Sequence, residues 1–190
     1  MLLSRHGSGR ASAYVEANKI VTFQYKTHVT WLDSVADKFC VRIRTLDRRS
    51  NRWSPTYTIG EAYDNHGGPA LTVDSRGFLH LVYYPPHHPF RHRKSKCPNE
   101  DSEWEKEIQF GEELTYPPLV CGPDDTLYLT ARRSQKNQLW SVEQWTKRVG
   151  QDWYSPLVSR SLQSLSRGLG MEFRPPVAAS FLQIARRPRS

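Results

Sequence analysis

Cysteine is scarce in this 190-residue chain: Cys40, Cys97 and Cys121 are the three, and no pair has the two-residue spacing of a zinc ribbon or a redox motif. An odd number leaves at least one thiol unpaired within the chain, so a disulfide framework is not expected to organise it. No metal site and no cofactor are expected. Long apolar runs are missing too. Nothing approaches the roughly 20 residues of a membrane-spanning helix, and no membrane partner is expected. Residues 1–6 lack the apolar core of an export signal, so the chain as written reads as cytoplasmic. Acidic residues are outnumbered, 19 to 27, for a net charge of +8. Residues 159–190 alone carry +5 of this, with six Arg and one Glu, and residues 1–158 carry only +3. Basicity concentrated in a tail is weak support for a nucleic-acid partner, and none is expected.

Against these absences stand 12% aromatic residues, 13 prolines, 11 glycines and many Thr/Val/Tyr runs, a composition that favours an all-β chain. Alternating segments predict strands at 19–25, 29–31, 38–44, 57–59, 69–73, 78–84, 104–108, 116–131 (a hairpin turning at 122–125) and 139–145. They repeat. Pro69-Ala70-Leu71-Thr72-Val73 aligns with Pro117-Pro118-Leu119-Val120-Cys121, and Leu79-His80-Leu81 with Leu127-Tyr128-Leu129, both at an offset of 48. Trp53, Trp104 and Trp153 recur at 51 and 49. A period near 50 with four short strands per unit is the pattern of propeller blades, and the tryptophans are expected to pack between blades. The chain is therefore read as a polar lead-in (1–12), an incomplete β-propeller of about three four-stranded antiparallel blades (13–158), and an irregular Ser/Arg/Pro-rich tail (159–190). An open arc leaves blade faces unpartnered, so self-association through those edges is expected.

Residues 64–93, DNHGGPALTVDSRGFLHLVYYPPHHPFRHR, hold five of the seven histidines. A strand-turn-strand across this stretch returns the chain to its starting level, which brings the Asn65-His66 end near His87-His88. His80 alternates with Phe78 and Val82 and reads as a packed strand residue. His87, His88, His92 and Cys97 lack a recognised ligand spacing, which argues against a metal. In the next unit Tyr116 precedes its hairpin as His66 does, and Arg132 stands at the far end of the hairpin.

The run DNHGGPALTVDSRGFLHLVYYPPHHPFRHRKS, followed by TYPPLVCGPDDTLYLTARRS, resembles the BNR-repeat propeller proteins that include ulvan-lyase-type polysaccharide lyases. The resemblance covers about residues 13–156 and implies a seven-bladed propeller of which this chain represents under half. It implies β-elimination on a uronic-acid polymer, with an acidic polysaccharide as partner and a secreted or periplasmic site of action. Such chemistry needs a cation for the carboxylate, a base for the C5 proton and an acid for the leaving oxygen. Carried over by position, His66, His87, Tyr116 and Arg132 are the implied catalytic set, with His88 the alternative to His87. Asn65, His88, Arg91, Arg93 and Arg133 are the implied substrate contacts. The assignment of base and orienting histidine stays open. A glycan-binding propeller without turnover and a non-functional fragment are the alternative readings. The arginine triad and Ser-x-Asp-x-Gly-x-Thr-Trp turns of a sialidase-type hydrolase do not occur.

Overall fold

Thirteen β-strands and no helix form among the described residues of a computed structural model, which are 2–13, 17–83, 88–134 and 140–155. All lie in the unit Met1–Pro156. The expectation of an unpatterned tail over 159–190 falls outside the described residues. The strands make three antiparallel sheets, two with a four-strand meander and the third with a three-strand meander whose inner strand is broken in two.

Blade one comprises β1 (Ile20–Phe23), β2 (Lys26–Val35), β3 (Lys38–Asp47), the short β4 (Arg52–Trp53) and β5 (Tyr57–Ala62), with β3 pairing both β4 and β5. Its β2–β3 hairpin turns on Ala36 and Asp37, both at positive φ (49° and 62°), as a two-residue turn matched to strand twist requires. β1 pairs only the first part of β2. Along the rest of that edge the N-terminal segment, read as a lead-in, adds backbone hydrogen bonds: Ser8 N to Leu32 O at 3.0 Å, Leu32 N to Ala11 O at 3.0 Å and Ser34 N to His6 O at 2.7 Å. Blade two is β6 (Ala70–Val73), β7 (Leu79–Tyr83), β8 (Phe90–Lys94) and β9 (Ile108–Phe110). Blade three has β12 (Leu127–Ser134) between β13 (Trp140–Lys147) and a broken inner strand, β10 (Leu114–Thr115) and β11 (Leu119–Cys121). Its fourth strand starts as a bridge between Tyr154 and Thr146.

Packing between blades explains the sequence of β7, Leu-His-Leu-Val-Tyr, in which every residue is buried. Leu79, Leu81 and Tyr83 face blade one and meet Leu32, Val41, Ile43 and Ile59. Val82, on the opposite face, joins Ala70, Phe90 and Phe110 against Leu119, Leu127, Leu129 and Trp145 of blade three. A strand buried on both faces loses the apolar/polar alternation of a half-exposed one. Trp104 lies in the first seam and Trp153 in the second, as the 49-residue spacing led one to expect. The inner strands β1, β6 and β11 are neighbours, so the three blades fan from one line.

This connectivity sorts the loops to two ends. The upper end collects residues 62–69, 108–118 and 131–134. The lower end collects the hairpin turns at 24–25, 74–78 and 122–126 and the β8–β9 connection, 95–107. At the lower end blade two is tied to blade one by buried polar groups. His28 Nε2 is 2.8 Å from Asn99 Oδ1, and Asp101 accepts from Thr45 Oγ1 and Ser54 Oγ, both at 2.7 Å. The sequence pattern marks 95–102 as a polar loop without revealing that Asp101, only 3% exposed, is a structural anchor.

Candidate functional site

His66 stands in the turn that leaves β5 and enters β6. Asp64 builds this turn: its Oδ1 accepts from His66 N at 2.7 Å, and its Oδ2 lies 3.0 Å from His66 Nδ1. Both side chains are partly exposed. A carboxylate can only accept, so Nδ1 carries the proton and the neutral ring presents Nε2 as its acceptor. The Asp-x-His spacing is the signal that could have identified Asp64 from sequence. Gly68 then passes so close to the backbone that a Cβ there would lie 2.5 Å from Ala13 O, which fixes glycine at that position.

Tyr116 occupies the break between β10 and β11. Register runs Thr115 to Arg132 on one side and Leu119 to Leu129 on the other, which leaves Tyr116 as the extra residue of a bulge. Its φ is +58°, a left-handed conformation that a bulky residue before proline adopts at a cost of about 1–3 kcal/mol. Arg132 lies beside it on β12, with Cζ 4.6 Å from the Tyr116 ring centroid and 4.1 Å from that of Trp140. Arg132 Nε donates to Thr115 Oγ1 at 3.1 Å. Among the described residues no acidic side chain pairs with the guanidinium, so its two terminal nitrogens are the groups that remain to meet a carboxylate. Trp140, 59% exposed, was missed in the sequence because it lies outside the 50-residue tryptophan series.

The structure thus brings Tyr116 and Arg132 into contact, and it sets His66 and Tyr116 just before the neighbouring inner strands β6 and β11. His87 lies outside the described residues. His88 is exposed beside Tyr63, with ring centroids 6.0 Å apart. Asn65 is half-buried in the Asp64–His66 turn. Arg91 reaches Glu107 at 3.7 Å, and the same carboxylate accepts from the Tyr83 hydroxyl. Arg93 and Arg133 are engaged by the scaffold. Arg93 donates to Glu105 O at 3.0 Å and to Ile59 O at 2.5 Å, which ties β8 to blade one. Arg133 forks onto the buried Glu143 and donates to Glu112 O at 2.8 Å. His80 is buried, as its alternation implied, and no cluster of metal-binding side chains occurs among the described residues.

A family model described as a BNR repeat-containing family member matches residues 23–161. No curated protein matches the sequence. Among solved structures the chain resembles an ulvan lyase from a new family of polysaccharide lyase, bound to -[GlcA(1-4)Rha3S]-, with a TM-score of 0.67 and 19% identity over 80% of this chain and 39% of that one. The polysaccharide lyase Uly1 follows, with a TM-score of 0.58 and 13% identity over 82% and 44%. A Hadza microbial sialidase has a TM-score of 0.52 and 12% identity over 77% and 37%. At such identities the likeness is one of fold. The chain spans about two fifths of the length of the lyases it matches.

Proposed function

From the premise that this chain belongs to the BNR repeat-containing family, we propose that the upper ends of blades two and three bind an acidic, uronic-acid-containing polysaccharide, and that in a whole propeller they cleave it by β-elimination. The observation that carries the reading is Arg132. It is held by Thr115 and laid beside Tyr116 and Trp140, with its terminal nitrogens left to form a two-pronged contact with a carboxylate. The structurally similar ulvan lyase, bound to a GlcA-containing fragment, supports the substrate class.

In this reading Arg132 pairs with the uronate carboxylate and draws charge from C5 as its proton leaves. The electron pair of the C5–H bond becomes the C4=C5 double bond, and the C4–O4 bond breaks. Tyr116, held at the bulge, lies beside Arg132 and serves as a proton carrier to or from the sugar. Asp64 holds a proton on Nδ1 of His66, so Nε2 of the neutral ring is an acceptor for the C5 proton, whereas a ring protonated on both nitrogens donates Nε2–H to the carboxylate. His87, carried over by resemblance alone, supplies the other of these two roles.

The test is binding of a polyuronate to the 190-residue chain, followed by absorbance of the unsaturated product. Arg132→Ala is expected to weaken binding about tenfold or more. Binding without absorbance would favour a glycan-binding propeller, and absence of binding would refute the site.

A further inference from the structure

The two seams between blades differ at the lower end. Lys94 and Thr146 are equivalent, since they pair with His80 and Tyr128 at the same level of β7 and β12. Glu105 N donates to Lys94 O, and Tyr154 N to Thr146 O, both at 2.8 Å, so the fourth strands begin equivalently. The loop between these points has ten residues in blade two (95–104) and seven in blade three (147–153). The longer loop fills the first seam with Asn99 and Asp101. In the second seam a cleft of about 230 Å³ lies beside the shorter loop, lined by Arg148, Val149 and Gly150 from blade three and by His80, His92 and Lys94 from blade two.

The floor of this cleft is built from polar side chains. Asp74 Oδ2 lies 3.4 Å from His80 Nε2, and His80 Nδ1 lies 3.2 Å from His92 Nε2. Asp74 can only accept, so His80 Nε2 donates to it. The Nδ1 of that neutral ring then accepts from Nε2–H of His92, which leaves the lone pair of His92 on Nδ1. His92 is 2% exposed, and among the described residues its Nδ1 has no hydrogen-bond partner. Blade one has the apolar Ile43 at the equivalent position, opposite Thr30 as His92 is opposite Val82. The rim is cationic: Arg76, Lys94, Lys106, Lys147 and Arg148 outnumber Asp74, Glu105 and Asp125. Asp125 is held by Ser75 N and Oγ, and Asp74 also accepts from Arg76 N and Phe78 N. Among the described residues neither Lys106 nor Arg148 is held in an ion pair.

We propose that this cleft binds a small hydroxylated oxyanion of monosaccharide size, a sugar acid, with its acid group among Arg148, Lys147 and Lys106 and a hydroxyl offered to Nδ1 of His92. The site lies at the opposite end of the blades from Arg132 and does not depend on the upper-face reading. The probe is D-glucuronate, titrated into the 190-residue chain with ¹⁵N-labelled histidines. A saturable shift of the His92 Nδ1 resonance is expected, because a bare ring nitrogen that gains a hydrogen bond moves towards the protonated position. Acetate, which lacks hydroxyls, and glucose, which lacks charge, are expected to leave it in place. Arg148→Ala and His92→Ile are expected to weaken glucuronate binding about tenfold or more. Ile is the residue that blade one uses at this place, and Arg148 lies on a surface loop, so loss of fold in one variant leaves the other informative. Arg132→Ala is expected to leave the monomer titration unchanged, which separates this site from the upper face. A polyuronate at matched chain-end concentration shifts His92 if polymer ends are the natural source and leaves it unmoved if free sugar acids are. Both outcomes support the site once glucuronate shifts the signal. An equal response to acetate, unchanged binding by Arg148→Ala, or no saturable shift with glucuronate would overturn it.

Discussion

Mild acid is expected to destabilise this protein through its buried imidazoles, His92 above all. Burial, with some help from the neighbouring His80, pushes its pKa down to about 3 from an ordinary 6.5. The folded ring therefore stays neutral while the unfolded ring takes up a proton below about pH 6.5. The unfolded state binds more protons across this window, so stability falls as pH falls from 6.5 towards 3. At about pH 5.5, one unit below the unfolded value, the loss from His92 alone is about 1.4 kcal/mol. Burial also lowers the pKa values of His80 and His28, so they act in the same direction. Asp47, Asp124 and Asp125, held below their ordinary 3.8 by hydrogen bonds, lose their contribution only in stronger acid and leave the range between about pH 7.5 and 5.5 to the imidazoles. The assay is urea unfolding at about pH 7.5 and pH 5.5 for the native chain and for His92→Ile. The variant is expected to lose about 1.4 kcal/mol less than the native chain across the interval. Equal losses in the two proteins would refute the assignment of the acid sensitivity to this ring.

Other outcomes follow from the packing. Leu81→Ala empties a fully buried position in the seam between blades one and two and is expected to cost about 2–5 kcal/mol by denaturant unfolding. Gly60→Ala would place its Cβ 2.0 Å from the hydroxyl of Tyr83, which is buried and bonded to Glu107; a loss of about 1–3 kcal/mol is expected in the same assay. Asp101→Ala strips the acceptor from Thr45 and Ser54 and should cost about 1–3 kcal/mol, with new chemical shifts at both residues across the seam.

Much of the architecture is legible in the sequence because the blade repeat imposes itself on spacing. The aligned hairpins, the tryptophan interval and the alternation around His80 all survive in the fold. What escapes is set by contacts between residues far apart in sequence. Residues 6–11 have no alternating pattern, yet they complete an edge of β2 because their backbone groups, not their side chains, do the pairing. Asp101 and Asn99 look like polar loop residues until blade one is set against them. At the candidate site, Tyr116 and Arg132 were named through the resemblance, with the repeat offset relating their hairpins, and the fold sets the two side by side. Asp64 and Trp140 were missed, since neither repeats. The guanidinium forks of Arg93 and Arg133 were assigned to substrate because a sequence shows charge without showing which carbonyl or carboxylate engages it.

The double burial of β7 has a consequence for how the chain breathes. A stack of blades in which each contacts only its neighbours is close to a one-dimensional array, and its inner member can open only after losing a seam. Amides of Leu79, Leu81 and Tyr83 should therefore exchange with solvent deuterium only through global unfolding, whereas those of β13, whose Val142 is 76% exposed, should exchange through cheaper local openings. Protease cleavage should accordingly progress from the flanking blades inward and reach the middle hairpin last.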